Sequence, residues 1–249
     1  MIRQISLLAL VAAVFVLLLS FGCSSLERKL LFFPSHRPAD NRLEPWSDHG
    51  QVIGYARKVD HPQNVWFLIH GNGGQASDRA YAIPCFAPDD SVFILEYPGY
   101  GLRAGTPSKA NFNRAATEAY LLLRHDYPKF PVCVAGESIG SGPACALATL
   151  ASPPDKIVLI VPFDKLALVA KEHMPSWVVS LMLSDNWDNL AALSNYRGPV
   201  DIYGAEADTV IPVGHARALA AGIPSAKFAL IAGGHNEWSH EDRVKIRNP

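Results

Sequence analysis

The chain has 249 residues, 49% hydrophobic and 18% charged, enough for one domain with a well-buried core and too few for a second of ordinary size. A formal net charge of −1 leaves no electrostatic footprint for a polyanion, so nucleic acid is excluded as a partner. No repeat period and no low-complexity tract is visible, which sets aside repeat architectures.

The N-terminus is the first informative stretch. Arg3 precedes an apolar run from Ile5 to Leu19, and Ser20-Phe21-Gly22-Cys23 follows. A basic start, an apolar segment and small residues describe an export signal. Ile5–Gly22 is also about 18 residues, just enough to cross a bilayer as a helix. Gly22-Cys23 resembles a bacterial lipobox, in which the cysteine takes lipid and becomes the new N-terminus, although Ser20 stands where that motif prefers leucine. Three readings are open: a lipoprotein held through Cys23, an uncleaved single-pass signal anchor, and simple secretion. The lipoprotein is the preferred one, and it predicts a domain tethered to a membrane on the exported side. The organisation expected is a signal or anchor over 1–22, a tether and lead-in over 23–45, and one domain over 46–249.

Within that domain, apolar runs alternate with helical patterns, the signature of parallel βα units. Gln51–Val59 alternates as a half-exposed strand does. Asn64–His70, Ser91–Tyr97, Pro131–Ala135 and Lys156–Val161 are near-continuous apolar runs, as strands buried on both faces require. Pro199–Tyr203 and Lys227–Ile231 complete the set. Helices are expected over Ser77–Phe86, over Ser108–Leu123 with Ser108 as N-cap, over Ile139–Leu150 and over Ala216–Ala221. Asp164–Tyr196 is too long for an ordinary connection and carries its own apolar pattern, so a small lid is expected there. Its Met174–Trp187 stretch suits either the lining of an acyl groove or a helix packed on the body.

Gly136-Glu137-Ser138-Ile139-Gly140 fits G-x-S-x-G between an apolar strand and a small-residue helix. Such a sharp turn exposes a strained serine, and flanking glycines keep Cβ atoms away from it, which makes Ser138 the candidate nucleophile. His70-Gly71-Asn72-Gly73-Gly74 ends an earlier strand, and its glycines allow backbone amides to approach a substrate. The N–H groups of Asn72 and Ile139 are the candidate oxyanion donors. Of nine histidines, His235 follows the last strand through Gly233-Gly234 and is the candidate base, whereas His70 belongs to a strand end and His215 to a helix or surface position. Asp208, after the strand Pro199–Tyr203, is the candidate acid, with Asp164 as rival and Glu206 behind it. Cys85, Cys133 and Cys145 sit in apolar settings as structural fillers, and no Cys or His spacing suggests a metal.

Taken together, HGNGG, EYPGYG (Glu96–Gly101), GESIG, the Gly204…Asp208…Pro212 pattern and GGHN (Gly233–Asn236) resemble the α/β-hydrolase superfamily. More narrowly they resemble its membrane-associated branch related to depalmitoylases and serine aminopeptidase-like hydrolases, and LLFFPSHRP (Leu31–Pro38) is similar to the segment such proteins carry after their anchor. The resemblance implies an α/β fold with a mostly parallel sheet and a Ser138–His235–Asp208 triad. It implies hydrolysis of an ester or thioester of an apolar acyl chain without a cofactor, with peptide hydrolysis or a silent binding scaffold as alternatives. Relatives finish on a longer C-terminal helix than the 13 residues after Asn236 can supply, which leaves the last packing layer open.

Overall fold

The computed structural model describes residues 27–39, 42–240 and 243–247; the expected signal over 1–22 and Cys23 lie outside them. Eight strands form one sheet in the order β1-β2-β4-β3-β5-β6-β7-β8. They are β1 (Glu44–Asp48), β2 (Gln51–Arg57), β3 (Val65–Ile69), β4 (Ser91–Leu95), β5 (Val132–Glu137), β6 (Ile157–Ile160), β7 (Val200–Ala205) and β8 (Ala226–Ile231). The pairs β1–β2 and β2–β4 are antiparallel and the remaining pairs are parallel. This is the α/β architecture expected.

Period-two alternation explains why the central strands read as unbroken apolar runs. Phe67, Phe93, Val134 and Leu159 face one layer, with Phe112, Ala116 and Leu123 of α1 (Lys109–Asp126) packed on them. Trp66, Leu68, Ile94 and Val158 face the other. Ser108 caps α1 by accepting the Asn111 N–H at 3.2 Å. The second layer is closed by Trp238, Val244 and Ile246, and the Ile246 N–H donates to the Cys85 carbonyl at 2.8 Å. Non-helical residues thus contribute to the packing layer that the sequence left open. Cys85, Cys133 and Cys145 are buried, and burial pushes the Cys133 thiol up to about 12, so it stays protonated.

Two local expectations differ from what is seen. Glu44–Asp48 forms β1, joined to β2 by a two-residue turn in which His49 and Gly50 have φ of 45° and 77°. Only Trp46 of that strand is buried, so no apolar run announces it. The segment Ala76–Cys85, expected as a helix over Ser77–Phe86, is a run of 3₁₀ turns that contains Pro84 near its end. Among the described residues, no helix is long and apolar enough to cross a membrane.

Candidate active site

The candidate nucleophile sits where β5 turns into α2 (Ser141–Ala146). Ser138 has φ +53°, a left-handed conformation that costs a non-glycine residue about 1–3 kcal/mol. The surroundings hold it there. The Ser141 hydroxyl donates to the Ser138 carbonyl at 2.6 Å. Gly140 packs so closely on β3 that a Cβ would lie 2.1 Å from the Ile69 carbonyl, so no other residue fits that position.

Strand ends then bring the partners in. β8 leads through Gly233 and Gly234 to His235, whose Nε2 lies 2.9 Å from Ser138 Oγ. β7 leads to Asp208, whose Oδ2 lies 2.7 Å from His235 Nδ1. The other carboxylate oxygen, Oδ1, accepts the backbone N–H groups of Val210 and Ile211 at 2.8 Å each, which keeps the acid from rotating. An ionised carboxylate only accepts, so Nδ1 carries the proton and Nε2 offers a lone pair toward Ser138. The rival Asp164 lies elsewhere: its Oδ1 is 2.7 Å from His215 Nδ1, and His215 Nε2 is 3.0 Å from Glu172 Oε1. His215, expected on a helix or the surface, is on helix α6 (Val213–Gly222) and buried.

The loop after β3 is built around a residue that the sequence reading passed over. Glu137 is buried directly before Ser138. One carboxylate oxygen accepts the Gly71 N–H at 2.8 Å and the other accepts Trp238 Nε1–H at 3.0 Å. Burial alone would raise its pKa, but the Arg79 guanidinium, the Gly71 N–H and the Trp238 N–H outweigh it and hold the carboxyl below the ordinary range. Glu137 therefore ties three loops together: the turn at the serine, the glycine loop and the segment after His235. The only signal in the sequence was its position inside the motif.

Above Ser138 lies a cavity of about 760 Å³, and Asn72 and Ile139 are both on its wall. The Asn72 side chain is held by the lead-in and by Tyr100. Its Oδ1 accepts from Phe33 N–H at 3.2 Å and Tyr100 O–H at 2.9 Å, and its amide donates to the Leu31 carbonyl. Most of the wall is apolar, with Leu31, Val169, Met174, Val179, Met182 and Leu183 prominent.

Two segments supply that lining. The lid contributes α3 (Leu166–His173) and α4 (Ser176–Met182), and its neck is clasped by the antiparallel bridge Lys165↔Asp188. The lid is shorter than the expected 164–196, because α5 (Asn189–Leu193) packs on the body, with Asn189 Nδ2 donating to Ser141 Oγ and the Phe163 carbonyl. Within Met174–Trp187, Met174, Val179 and Met182 line the cavity, while Trp187, beyond the end of α4, is buried against Gly142. The second segment is the lead-in. Glu27 at the start of a helical turn over 27–31 accepts the Ser184 and Asp185 N–H groups at 2.8 and 2.7 Å, and Pro34 pairs with Gly74. Expected to serve as a tether, this stretch also forms a wall of the site.

Among the described residues, no group of three or more His, Cys, Asp or Glu side chains is placed to hold a metal. No family model matches the chain. It is 27% identical over 179 residues to the lysophosphatidylserine lipase ABHD12 of Danio rerio, covering 64% of this chain and 47% of that protein. It is 27% identical over 155 residues to protein bem46 of Schizosaccharomyces pombe, covering 58% and 51%. The chain thus spans about half the length of the curated relatives it matches. Among solved structures, an esterase from Pyrococcus furiosus superposes with a TM-score of 0.62 at 13% identity over 83% of this chain and 91% of that one. A bromoperoxidase from Bacillus anthracis gives 0.58 at 16% identity over 76% and 91%. Sheet order, the strained serine between β5 and α2, and these likenesses agree: the chain has the α/β-hydrolase fold and is similar to proteins of that superfamily.

Proposed function

We propose that this protein is a serine hydrolase that cleaves ester or thioester bonds of apolar acyl chains through an acyl-enzyme. The observation that carries the reading is the continuous contact from Ser138 Oγ through His235 to Asp208 at the floor of an apolar cavity. Ser138 Oγ attacks the acyl carbonyl as its proton passes to His235 Nε2, and Asp208 stabilises the imidazolium that forms. The N–H groups of Ile139 and Asn72 receive the oxyanion. His235 then returns the proton to the leaving alcohol or thiol; water, giving its proton to the same nitrogen, attacks the acyl carbon, the bond to Ser138 Oγ breaks, Oγ takes the proton back from His235, and the carboxylic acid leaves. Each proton and electron pair in these steps is handled by the chain's own groups and water.

The leaning toward acyl lipids has two supports. The cavity presents far more carbon than polar surface beside the serine, so an alkyl chain is removed from water there while the carbonyl meets the polar floor. One relative is named for hydrolysis of a lysophospholipid, a single-chain acyl ester. The membrane tether through Cys23, or through 5–22 as an anchor, fits the same substrates and is part of this proposal.

A fluorophosphonate probe should label the intact protein at Ser138, and Ser138→Ala should abolish both labelling and ester turnover, a fall of about 10⁶ in kcat. A panel of esters of increasing acyl length should show rising kcat/KM until the chain fills the cavity. Labelling that persists in Ser138→Ala, or a folded wild type that resists the probe and every ester and thioester, would end this reading.

A further inference from the structure

The mouth of the cavity carries apolar surface that no part of the described chain covers. Leu30 and Phe33 of the lead-in are 58% and 56% exposed, although both line the cavity. Met174 and Val210 on the same wall are exposed as well. Beside them, α4 turns Val179 inward and presents Trp177 and Leu181, four residues apart on one helical face and each 71% exposed. Apolar side chains scattered singly over a surface need no explanation. Four of these six line the cavity and come from three separate segments, while Trp177 and Leu181 stand on the solvent face of α4, whose inner face lines the same cavity.

The course of the chain gives this face an orientation. The described chain starts at Glu27, which is itself hydrogen-bonded to the lid through the backbone of Ser184 and Asp185. The apolar run ends at Leu19, and eight residue steps extend at most about 28 Å. With Ile5–Leu19 in a bilayer, or lipid on Cys23, the lead-in side of the cavity mouth is held next to that surface.

From these two observations we infer that the rim formed by Leu30, Phe33, Met174 and Val210, together with the adjoining outer face of α4 that carries Trp177 and Leu181, docks into a lipid surface, so that an acyl chain passes from the bilayer into the cavity without crossing water. Trp177 and Leu181 are the parts of α4 that enter the interface, where an indole with one polar edge is well accommodated. The inference rests on the acyl-ester reading for its substrate, and its first test does not depend on catalysis.

Trp177 makes that test possible. The other four tryptophans, Trp46, Trp66, Trp187 and Trp238, are each 4% exposed or less, so a quencher dissolved in lipid has one indole within reach on this domain. Full-length protein reconstituted into phosphatidylcholine vesicles should lose a fraction of its tryptophan emission when the lipid carries brominated acyl chains, and Trp177→Phe should remove that fraction. Quenching that is absent, or unchanged in Trp177→Phe, overturns the docking. A second measurement reads the consequence. Trp177→Asp with Leu181→Asp should lower hydrolysis of a vesicle-embedded long-chain ester at least ten-fold, while hydrolysis of a short soluble ester stays within two-fold. Equal loss on both substrates, or loss on neither, counts against the proposal. Light scattering that shows dimers abolished by the same double variant would give this face to a second copy of the chain instead. Failure of the acyl-ester reading looks different, because the soluble ester and the fluorophosphonate would then both go unreacted.

Discussion

Two of the aspartate–histidine pairs in this domain join residues far apart in the chain, and their first contacts are alike. In each, histidine Nδ1 lies 2.7 Å from a carboxylate oxygen. They part at Nε2. His235 meets the Ser138 hydroxyl there, whereas His215 meets the Glu172 carboxylate at 3.0 Å. A hydroxyl can give up a proton, so His235 keeps a lone pair aimed at a group worth activating. A carboxylate only accepts, so a ring that makes both bonds at His215 carries two N–H groups and has no lone pair left. The first pair is arranged for proton transfer. The second is a strut, joining the lid helix α3 through Glu172 to the neck through Asp164 and the body through α6. Identical acid–histidine geometry therefore says little until the group on the far nitrogen is known.

Replacing the acids one at a time is the sharpest way to break the comparison. Asp208→Asn should cut kcat by about 10⁴, because the amide no longer favours the tautomer that leaves Nε2 free, with folding little changed. Asp164→Asn should keep turnover within about ten-fold. Its cost should be stability: about 2 kcal/mol for a charge-assisted bond, which lowers Tm by roughly 4–8 °C in a domain of this size. Steady-state kinetics with thermal melting on both variants checks the ranking, and the opposite ranking would move the acid of the site to the end of β6.

Glu137 is the intermediate case, buried like the two aspartates but bonded to N–H donors instead of a ring. Its carboxylate accepts from both Gly71 and Trp238, whereas an amide accepts once and turns its NH₂ against the second donor. Glu137→Gln should therefore lower kcat about ten-fold through the glycine loop while KM changes little. Stability should respond to pH as well. A carboxyl whose folded pKa is depressed contributes stability that is fully present above its ordinary value, near 4.5, and is lost as pH falls through the lower folded value. Chemical denaturation at a series of pH values should show that acid limb in the wild type and a shallower one in Glu137→Gln.

The smallest effect should come from the partner that distinguishes the strut. Glu172 is half exposed, so Glu172→Gln should cost less than about 1 kcal/mol and leave soluble-ester turnover within two-fold. A large kinetic loss in this variant would mean that the lid pair takes part in the chemistry after all, and the two pairs would no longer divide as described.

Several features of this molecule were readable before any coordinates. The buried strands β3 to β6 announce themselves as apolar runs because both of their faces are covered, so alternation disappears. Ser138 stands out because strand, glycine, serine, glycine and small-residue helix must follow one another locally for such a turn to form. The candidates Asp208 and His235 could be chosen from chain order after successive strands. Chain order put Asp208 ahead of Asp164 although both follow a strand end, and the folded distances set the first beside His235 and the second beside His215.

Other features belong to the tertiary structure alone. β1 escapes notice because an edge strand buries one side chain, Trp46, and leaves no pattern. Glu137 looks like any surface glutamate until Gly71, Arg79 and Trp238, 66, 58 and 101 positions away, converge on it. His215 looks like a helix-surface residue until two carboxylates from the lid region face it. The lead-in 27–39 reads as a spacer until Glu27 meets Ser184 and Leu31 meets Asn72. Periodicity and turn chemistry act over a few residues, and a sequence displays them directly. Charge pairing, burial of a polar group and the walls of a cavity depend on contacts between segments far apart in the chain, and only the folded sheet brings those segments together.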